Sequence, residues 1–398
     1  MFTRSAHTQS RRLASVQTPV IPVVGRWIAA TPGTISLGQG IVSYGPPPAV
    51  VEAVRCFGGT IDDHRYGPVE GLAPLVALIE DKLTRENGIT VRPQSRVVVT
   101  AGGNQAFMNA VLAIADTGDE VILPVPFYFN HEMAIVMAGA TPVPVPTRPD
   151  LQIDLDAIIQ AITPRTRAVV TVSPNNPTGA VYNEASLRAV NALCRDRGLF
   201  HIHDEAYEYF TYGVPHFSPG ACDGASQYTI SLYSLSKGYG MASWRVGYMV
   251  IPEALWNAVN KIQDTLLICP PAVAQRAAIA ALTVGSTWAT DRLAGLNATR
   301  ERMLLALTDH GMPVDVTVPD GAFYFFMRVH SSMDPMTLTE RLIREHQVAV
   351  MPGSAFGATG CAIRVSYGAL DADTVAEGLA RLVAGLRAIA GAAGSSRL

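Results

Sequence analysis

With 398 residues, 48% of them hydrophobic and 16% charged, the chain is long enough to bury a large core and to form more than one lobe. Its net charge of −3, with Lys and Arg scattered and not gathered in a stripe, gives no field for nucleic acid. No apolar run reaches membrane-spanning length and the N-terminus lacks the hydrophobic centre of a secretory signal, so the composition reads as that of a soluble, cytoplasmic globular protein.

Residues 1 to 51 contain no Asp or Glu but carry Arg4, Arg11, Arg12 and Arg26, an acid-poor pattern that transit peptides share. The stretch from Pro19 to Trp27 is apolar and broken by proline, which predicts an extended strap lying on another subunit and not a targeting helix. Beyond it, short apolar runs alternate with helical stretches. Strands are expected over Arg96 to Thr100, Glu120 to Leu123, Ala168 to Val172, Leu199 to His203, Thr229 to Tyr233 and Val246 to Ile251. Helices fit between them, for example Leu72 to Glu86 ending at Asn87-Gly88, and Asn183 to Arg197 ending at Gly198. This βα alternation implies an α/β fold with a mostly parallel sheet. After about residue 284 the pattern changes to a long helix, Thr287 to Asp309, followed by mixed strands and helices. The organisation predicted is an N-terminal arm (1–45), a large domain (46–284) and a small α+β C-terminal domain (285–398), with Gly391 to Ser396 as a frayed tail. Cys56, Cys194, Cys222, Cys269 and Cys361 are odd in number, far apart and without ligand spacing, which points to a reducing compartment and to no metal site.

Open parallel sheets collect ligands at the carboxyl ends of their strands. After the strand ending at Thr100 comes Ala101-Gly102-Gly103-Asn104, whose glycines let backbone amides approach an anion at the start of a helix; glycine turns before helices are also common without a ligand. Phe127-Tyr128-Phe129-Asn130-His131 offers an aromatic face for a planar ring, or simply core. Pro174-Asn175-Asn176-Pro177-Thr178-Gly179 forms a rigid turn that could aim the Asn176 amide at a phenolate oxygen, or only a turn. In Asp204-Glu205-Ala206-Tyr207, strand alternation puts Asp204 and Ala206 on one face, the aspartate suited to a pyridine nitrogen and the alanine leaving room for a ring; a loop cap is the alternative.

The run from Ser234 to Gly247 sets Lys237 between hydroxyls and Arg245 in an otherwise uncharged stretch. A nearby cation and partial desolvation lower a lysine's pKa, as an amine that forms a Schiff base requires, and the hydroxyls and guanidinium suit a phosphate. Together they suggest pyridoxal 5′-phosphate (PLP). Arg364, in the apolar strand Ala362 to Tyr367, needs an anionic partner: a substrate carboxylate or a structural carboxylate.

The order and spacing of these segments resemble the class I/II aminotransferases of PLP fold type I, from Gly38-Gln39-Gly40 through Tyr66-Gly67 and the motifs above to Pro352-Gly353-Ser354 and Arg364. Ser243 departs from the family pattern, where glycine or asparagine is more usual. The resemblance implies that Lys237 holds PLP as a Schiff base and shuttles a proton, with Asp204 on the pyridine nitrogen and Asn176 and Tyr207 on the ring oxygen. It implies that the Gly103 and Asn104 amides, Ser234, Ser236 and Arg245 hold the phosphate and that Tyr128 stacks on the ring. It assigns Gly40, Asn176 and Arg364 to the substrate. His131 either supports Asp204 or is a satisfied loop histidine. Tyr66 resembles the tyrosine that family members lend to the neighbouring subunit's phosphate, which implies a homodimer with shared active sites.

The implied reaction is a two-stage exchange of an amino group between an L-amino acid and a 2-oxo acid. Dicarboxylate-specific relatives bring an arginine from the partner just ahead of the small domain. The stretch Gln263 to Pro270 has none and carries Asp264. The expected donor therefore has a neutral, aromatic or basic side chain, with Ile41, Val42 and Tyr44 lining the entrance. The same scaffold also supports an amino-acid lyase or oxidase, and an aminotransferase-like regulator domain is a third reading.

Overall fold

The computed structural model describes residues 10 to 394. Its largest sheet has seven strands in the order Ser95–Thr100, Gly247–Pro252, Thr229–Ser234, Phe200–Asp204, Thr166–Val172, Glu120–Val125 and Thr141–Pro146. Only Gly247–Pro252 runs antiparallel to its neighbours. The strand predictions match this sheet to within two residues at each end, save one strand. Thr141–Pro146 reads Thr-Pro-Val-Pro-Val-Pro and was not expected. It lies at the sheet edge, where the missing N–H of every second residue disturbs no ladder.

Helices cover both faces, as a parallel sheet requires. Glu184–Arg197 is capped by the Asn183 side chain, which accepts from the Ser186 N–H at 2.8 Å, and it stops at Gly198 with φ +66°. The stretch predicted from Leu72 begins as the α-helix Ala73–Lys82, loosens into a π-turn over Leu83–Asn87 and ends at left-handed Gly88.

A second, antiparallel sheet of four strands, in the order Met351–Pro352, Ala362–Ser366, Tyr324–Val329 and Val314–Val316, packs its core against the C-terminal helix Ala372–Gly394. That helix runs through Gly391–Gly394, where a frayed tail was expected, and residues 395 and 396 of the expected tail lie outside the described residues. The long helix expected over Thr287 to Asp309 is two, Thr287–Thr290 and Leu293–Leu307, parted at Asp291 and Arg292.

The arm also differs from expectation. Val20–Ala29 is an α-helix and not an extended strap, with Pro19 as its N-cap and Pro22 in its first turn, where a missing N–H costs nothing. Val20 and Val24 pack on Phe326, Ile343 and Phe356 of the same chain. Just after it, Ile35–Ser36 pairs in parallel with Val348–Ala349. Arg4 lies outside the described residues. Among those residues no helix is long and apolar enough to cross a membrane.

Candidate active site

The parallel strands Glu120–Val125, Thr166–Val172, Phe200–Asp204 and Thr229–Ser234 end on one side of the large sheet, and the chain leaving them surrounds a cavity of about 320 Å³. Gly40, Gly103, Asn104, Tyr128, Asn176, Asp204, Tyr207, Ser234, Ser236, Lys237, Arg245 and Arg364 all line it. Tyr66 does not. It is 81% exposed and sits beside Asp63 and Cys269 on another face.

Lys237 lies on the short helix Leu235–Gly238, started by the Ser234 side chain, which accepts from the Ser236 N–H at 3.2 Å. Its Nζ donates to the Gly40 carbonyl. Burial, followed by the Arg364 and Arg245 guanidinium groups, lowers its pKa to about 8 against the opposing pull of Asp204. This is the direction a nucleophilic amine needs.

Beside it lie Gly103, Asn104, Ser234, Ser236 and Arg245. Gly103 opens a helix that runs to Ile114, and Gly102 before it has φ +81°; a Cβ there would overlap the Arg245 guanidinium. Arg245, itself at φ +52°, donates to Ser236 Oγ at 3.5 Å and to the carbonyls of Ala242 at 3.0 Å and Ala101 at 3.4 Å. The guanidinium thus reaches a hydroxyl and two carbonyls, and its charge stands next to the helix N-terminus, an arrangement able to receive an anion.

At the opposite side Asp204 ends its strand, buried, with Oδ1 accepting from the Ala206 N–H at 3.0 Å and Oδ2 lying 3.2 Å from His131 Nε2. His131 is on the helix Phe129–Ala138, buried, and stacks on Phe107 at 3.9 Å between ring centroids. It is therefore placed against Asp204 and not in a loop. Tyr128 presents its ring to the cavity, its hydroxyl accepting from Asn130 Nδ2 at 2.7 Å. Behind Asp204, fully buried Glu205 accepts from Tyr233 at 2.7 Å, from His216 at 2.8 Å and from Ser218, and Lys82 pairs with Glu208 at 2.5 Å. These bonds hold the strand end rigid.

Arg364 closes the cavity from the small sheet. It is 2% exposed, with Nη1 donating to Asn176 Oδ1 at 2.8 Å and Nη2 to the Gly38 carbonyl at 2.7 Å, while its buried Nε–H has no partner among the described residues. No carboxylate of the chain neutralises it among these contacts, which favours a ligand carboxylate over a structural one.

An aminotransferase class I and II profile matches residues 32 to 382. The chain belongs to that family. It is 35% identical over 387 residues to an aromatic aminotransferase of Arabidopsis thaliana, covering 95% of this chain and 96% of that protein. It is also 35% identical to a probable aspartate/prephenate aminotransferase of Aquifex aeolicus, covering 89% and 91%. Among solved structures, a single mutant of Thermus thermophilus aspartate aminotransferase superposes with a TM-score of 0.88 at 31% identity, over 95% of this chain and all of that one. The chain is accordingly an aminotransferase, of fold type I, acting on amino acids and 2-oxo acids.

Sequence reasoning missed part of this aminotransferase's cavity. Tyr324 lines it, its hydroxyl 2.7 Å from that of Tyr207, and so does Ile21 of the arm helix. Of the residues expected at the entrance, Ile41 lines the cavity; Val42 is buried in the C-terminal core, and Tyr44 donates instead to the carbonyls of Lys237 at 3.3 Å and Gly238 at 3.2 Å. Asp264 is exposed on the helix Trp256–Leu267, outside the cavity lining. Nothing in the structure explains Ser243, which is exposed on the turn before Arg245.

Proposed function

We propose that this aminotransferase uses PLP, held by the residues that line the cavity, and that it prefers donors with a neutral or aromatic side chain. The observation that carries the reading is Lys237, a buried amine lowered to about 8 in one cavity with a phosphate cup at Arg245 and a carboxylate grip at Arg364. When bound, PLP supplies an electron-withdrawing ring that stabilises negative charge at the substrate α-carbon.

Everything else falls to the protein. Asp204, steadied by His131, would keep a proton on the ring nitrogen; Asn176 and Tyr207 would hydrogen-bond the ring oxygen; Tyr128 would cover the ring. Gly103, Asn104, Ser234, Ser236 and Arg245 bind the phosphate. Arg364 and Asn176 fix the α-carboxylate beside Gly40, and Lys237 Nζ takes the α-proton and returns it.

The side-chain preference rests on Ile21, Ile41 and Phe129, which make part of the wall apolar. The cationic lining residues are Lys237, Arg245 and Arg364, each with another role, and the acidic one is Asp204. The aromatic aminotransferase relative supports the same preference. A division into arm (1–45), PLP-binding domain (46–284) and small domain (285–398) is supported by two separate sheets, with strands between residues 95 and 252 and between 314 and 366. A homodimer, with Tyr66 serving the partner's phosphate, is supported by the exposure of Tyr66 together with Leu266 and Ile268. Five free cysteines support a reducing, cytoplasmic location.

An amino acid added without a 2-oxo acid should release one equivalent of 2-oxo acid per site and no ammonia. Continuous ammonia release would make the enzyme a lyase or oxidase instead.

A further inference from the structure

Four side chains from the two sheets close a ring at the back of the cavity. Arg364 donates to Asn176 Oδ1 at 2.8 Å, and Asn176 Nδ2 donates to the Tyr207 hydroxyl at 3.3 Å. The Tyr207 and Tyr324 hydroxyls lie 2.7 Å apart, and the Arg364 guanidinium stacks 4.6 Å from the Tyr324 ring centroid. Tyr207 leaves the end of a large-sheet strand; Tyr324 and Arg364 come from paired strands of the small sheet.

The protons in this ring can be placed. Arg364 is always a donor, so the Asn176 oxygen faces it and the Asn176 nitrogen must face Tyr207. Burial raises the pKa of Tyr324 to about 12 and that of Tyr207 well above its ordinary value, so each keeps its proton. Only one of those protons can lie between the two oxygens. Tyr324 Oη stands over the Gly40 Cα, where a Cβ would come within 2.7 Å, and among the described residues its hydrogen-bond partner is Tyr207. Either hydroxyl can donate across this contact; donation from Tyr324 is the arrangement in which Tyr207 accepts from both Asn176 and Tyr324 and keeps its own proton free for the cavity.

We propose that Tyr324 is a positioning residue of this aminotransferase: by donating to the Tyr207 oxygen it turns the Tyr207 proton into the cavity, toward the ring oxygen of the cofactor. The inference rests on the reading of Tyr207 given above. Two incoming donors also polarise the Tyr207 O–H and strengthen the bond it gives. The other titratable groups facing the pair are Arg364, Tyr128 and Lys237, the last 5.9 Å from the Tyr207 ring.

The test is a pH titration of the visible absorbance of the PLP-loaded enzyme. Tyr324→Phe keeps the ring under Arg364 and removes only the hydroxyl. Its absorbance midpoint should rise by roughly 0.3 to 1 unit, the size of one ordinary hydrogen bond. Tyr207→Phe should raise the midpoint further, and adding Tyr324→Phe to it should change nothing more. A midpoint that falls in Tyr324→Phe would mean that Tyr207 had been donating to Tyr324, and an unmoved midpoint that Tyr324 has no hold on it; either result overturns the proposal while the role of Tyr207 stands. An unmoved midpoint in Tyr207→Phe overturns both.

Discussion

Arg364 and Asn176 meet across the two sheets, Nη1 to Oδ1 at 2.8 Å, so the arginine proposed to grip the substrate carboxylate also fixes which way the Asn176 amide faces. Lysine at position 364 would keep the charge and lose the planar fork that serves Asn176, Gly38 and a ligand together. Arg364→Lys should lower kcat/KM about 10- to 150-fold, the size of losing one charge-assisted hydrogen bond at about 1.5 to 3 kcal/mol. Steady-state kinetics with the best donor decides it; a loss under threefold would remove Arg364 from carboxylate binding.

Lys237→Ala should abolish turnover and the visible absorbance of the loaded enzyme together. The wild-type amine carries a sharper expectation. Its pKa is lowered, and only the neutral amine attacks an aldehyde, so capture of PLP by the apoenzyme should speed up with rising pH and level off above about 8. Arg364→Ala removes one of the cations that lower it, and the plateau should move to higher pH. Stopped-flow capture rates that keep climbing to pH 10 in the wild type would show an amine of ordinary basicity.

Gly102 has φ +81° and no room for a Cβ against Arg245. Gly102→Ala must either strain the backbone or push the guanidinium out of the phosphate cup. At about 1 to 3 kcal/mol for such a conformation, PLP affinity should fall roughly 5- to 150-fold. Equilibrium dialysis against the apoenzyme measures this, and unchanged affinity would show that Arg245 does not hold the phosphate.

Tyr66 does not line its own cavity, and its assignment to a partner's site can be tested by mixing. A Tyr66→Ala chain and a Lys237→Ala chain each make defective homodimers. In a hybrid, one site collects both defects and the other has neither, so the hybrid should regain one site of wild-type PLP affinity. Sedimentation of the wild type should show a dimer. Hybrids with no recovered site would keep Tyr66 out of any shared site.

How much of this could be read from residues alone depends on which interaction decides each feature. The buried strands were legible because a parallel strand covered on both faces is a continuous apolar run, and the polar residues just after each run proved to share one cavity. Thr141–Pro146 was not, since its prolines are tolerated only by its place at the edge. The arm helix was hidden for a related reason: proline reads as a breaker until its position in the first turn is known. Tyr324 escaped because Tyr-Phe-Phe-Met is an ordinary apolar strand, and only the pairing of Phe326 with Arg364 brings it to the arginine. Strand register is a long-range property, and no local pattern encodes it.

The pairing of Ile35–Ser36 with Val348–Ala349 joins the two ends of the chain, and Leu37 continues the stitch by accepting from the Ser366 N–H at 2.6 Å. Residues 20 to 37 therefore complete the C-terminal unit, although they leave the ribosome first. The large sheet, whose strands lie between residues 95 and 252, has all its strands as soon as that stretch is made. The unit that carries Arg364 must instead wait for the last helix to emerge, with the apolar arm helix left uncovered through most of synthesis. Order of synthesis thus makes the Lys237 side of the pocket first and the Arg364 side last.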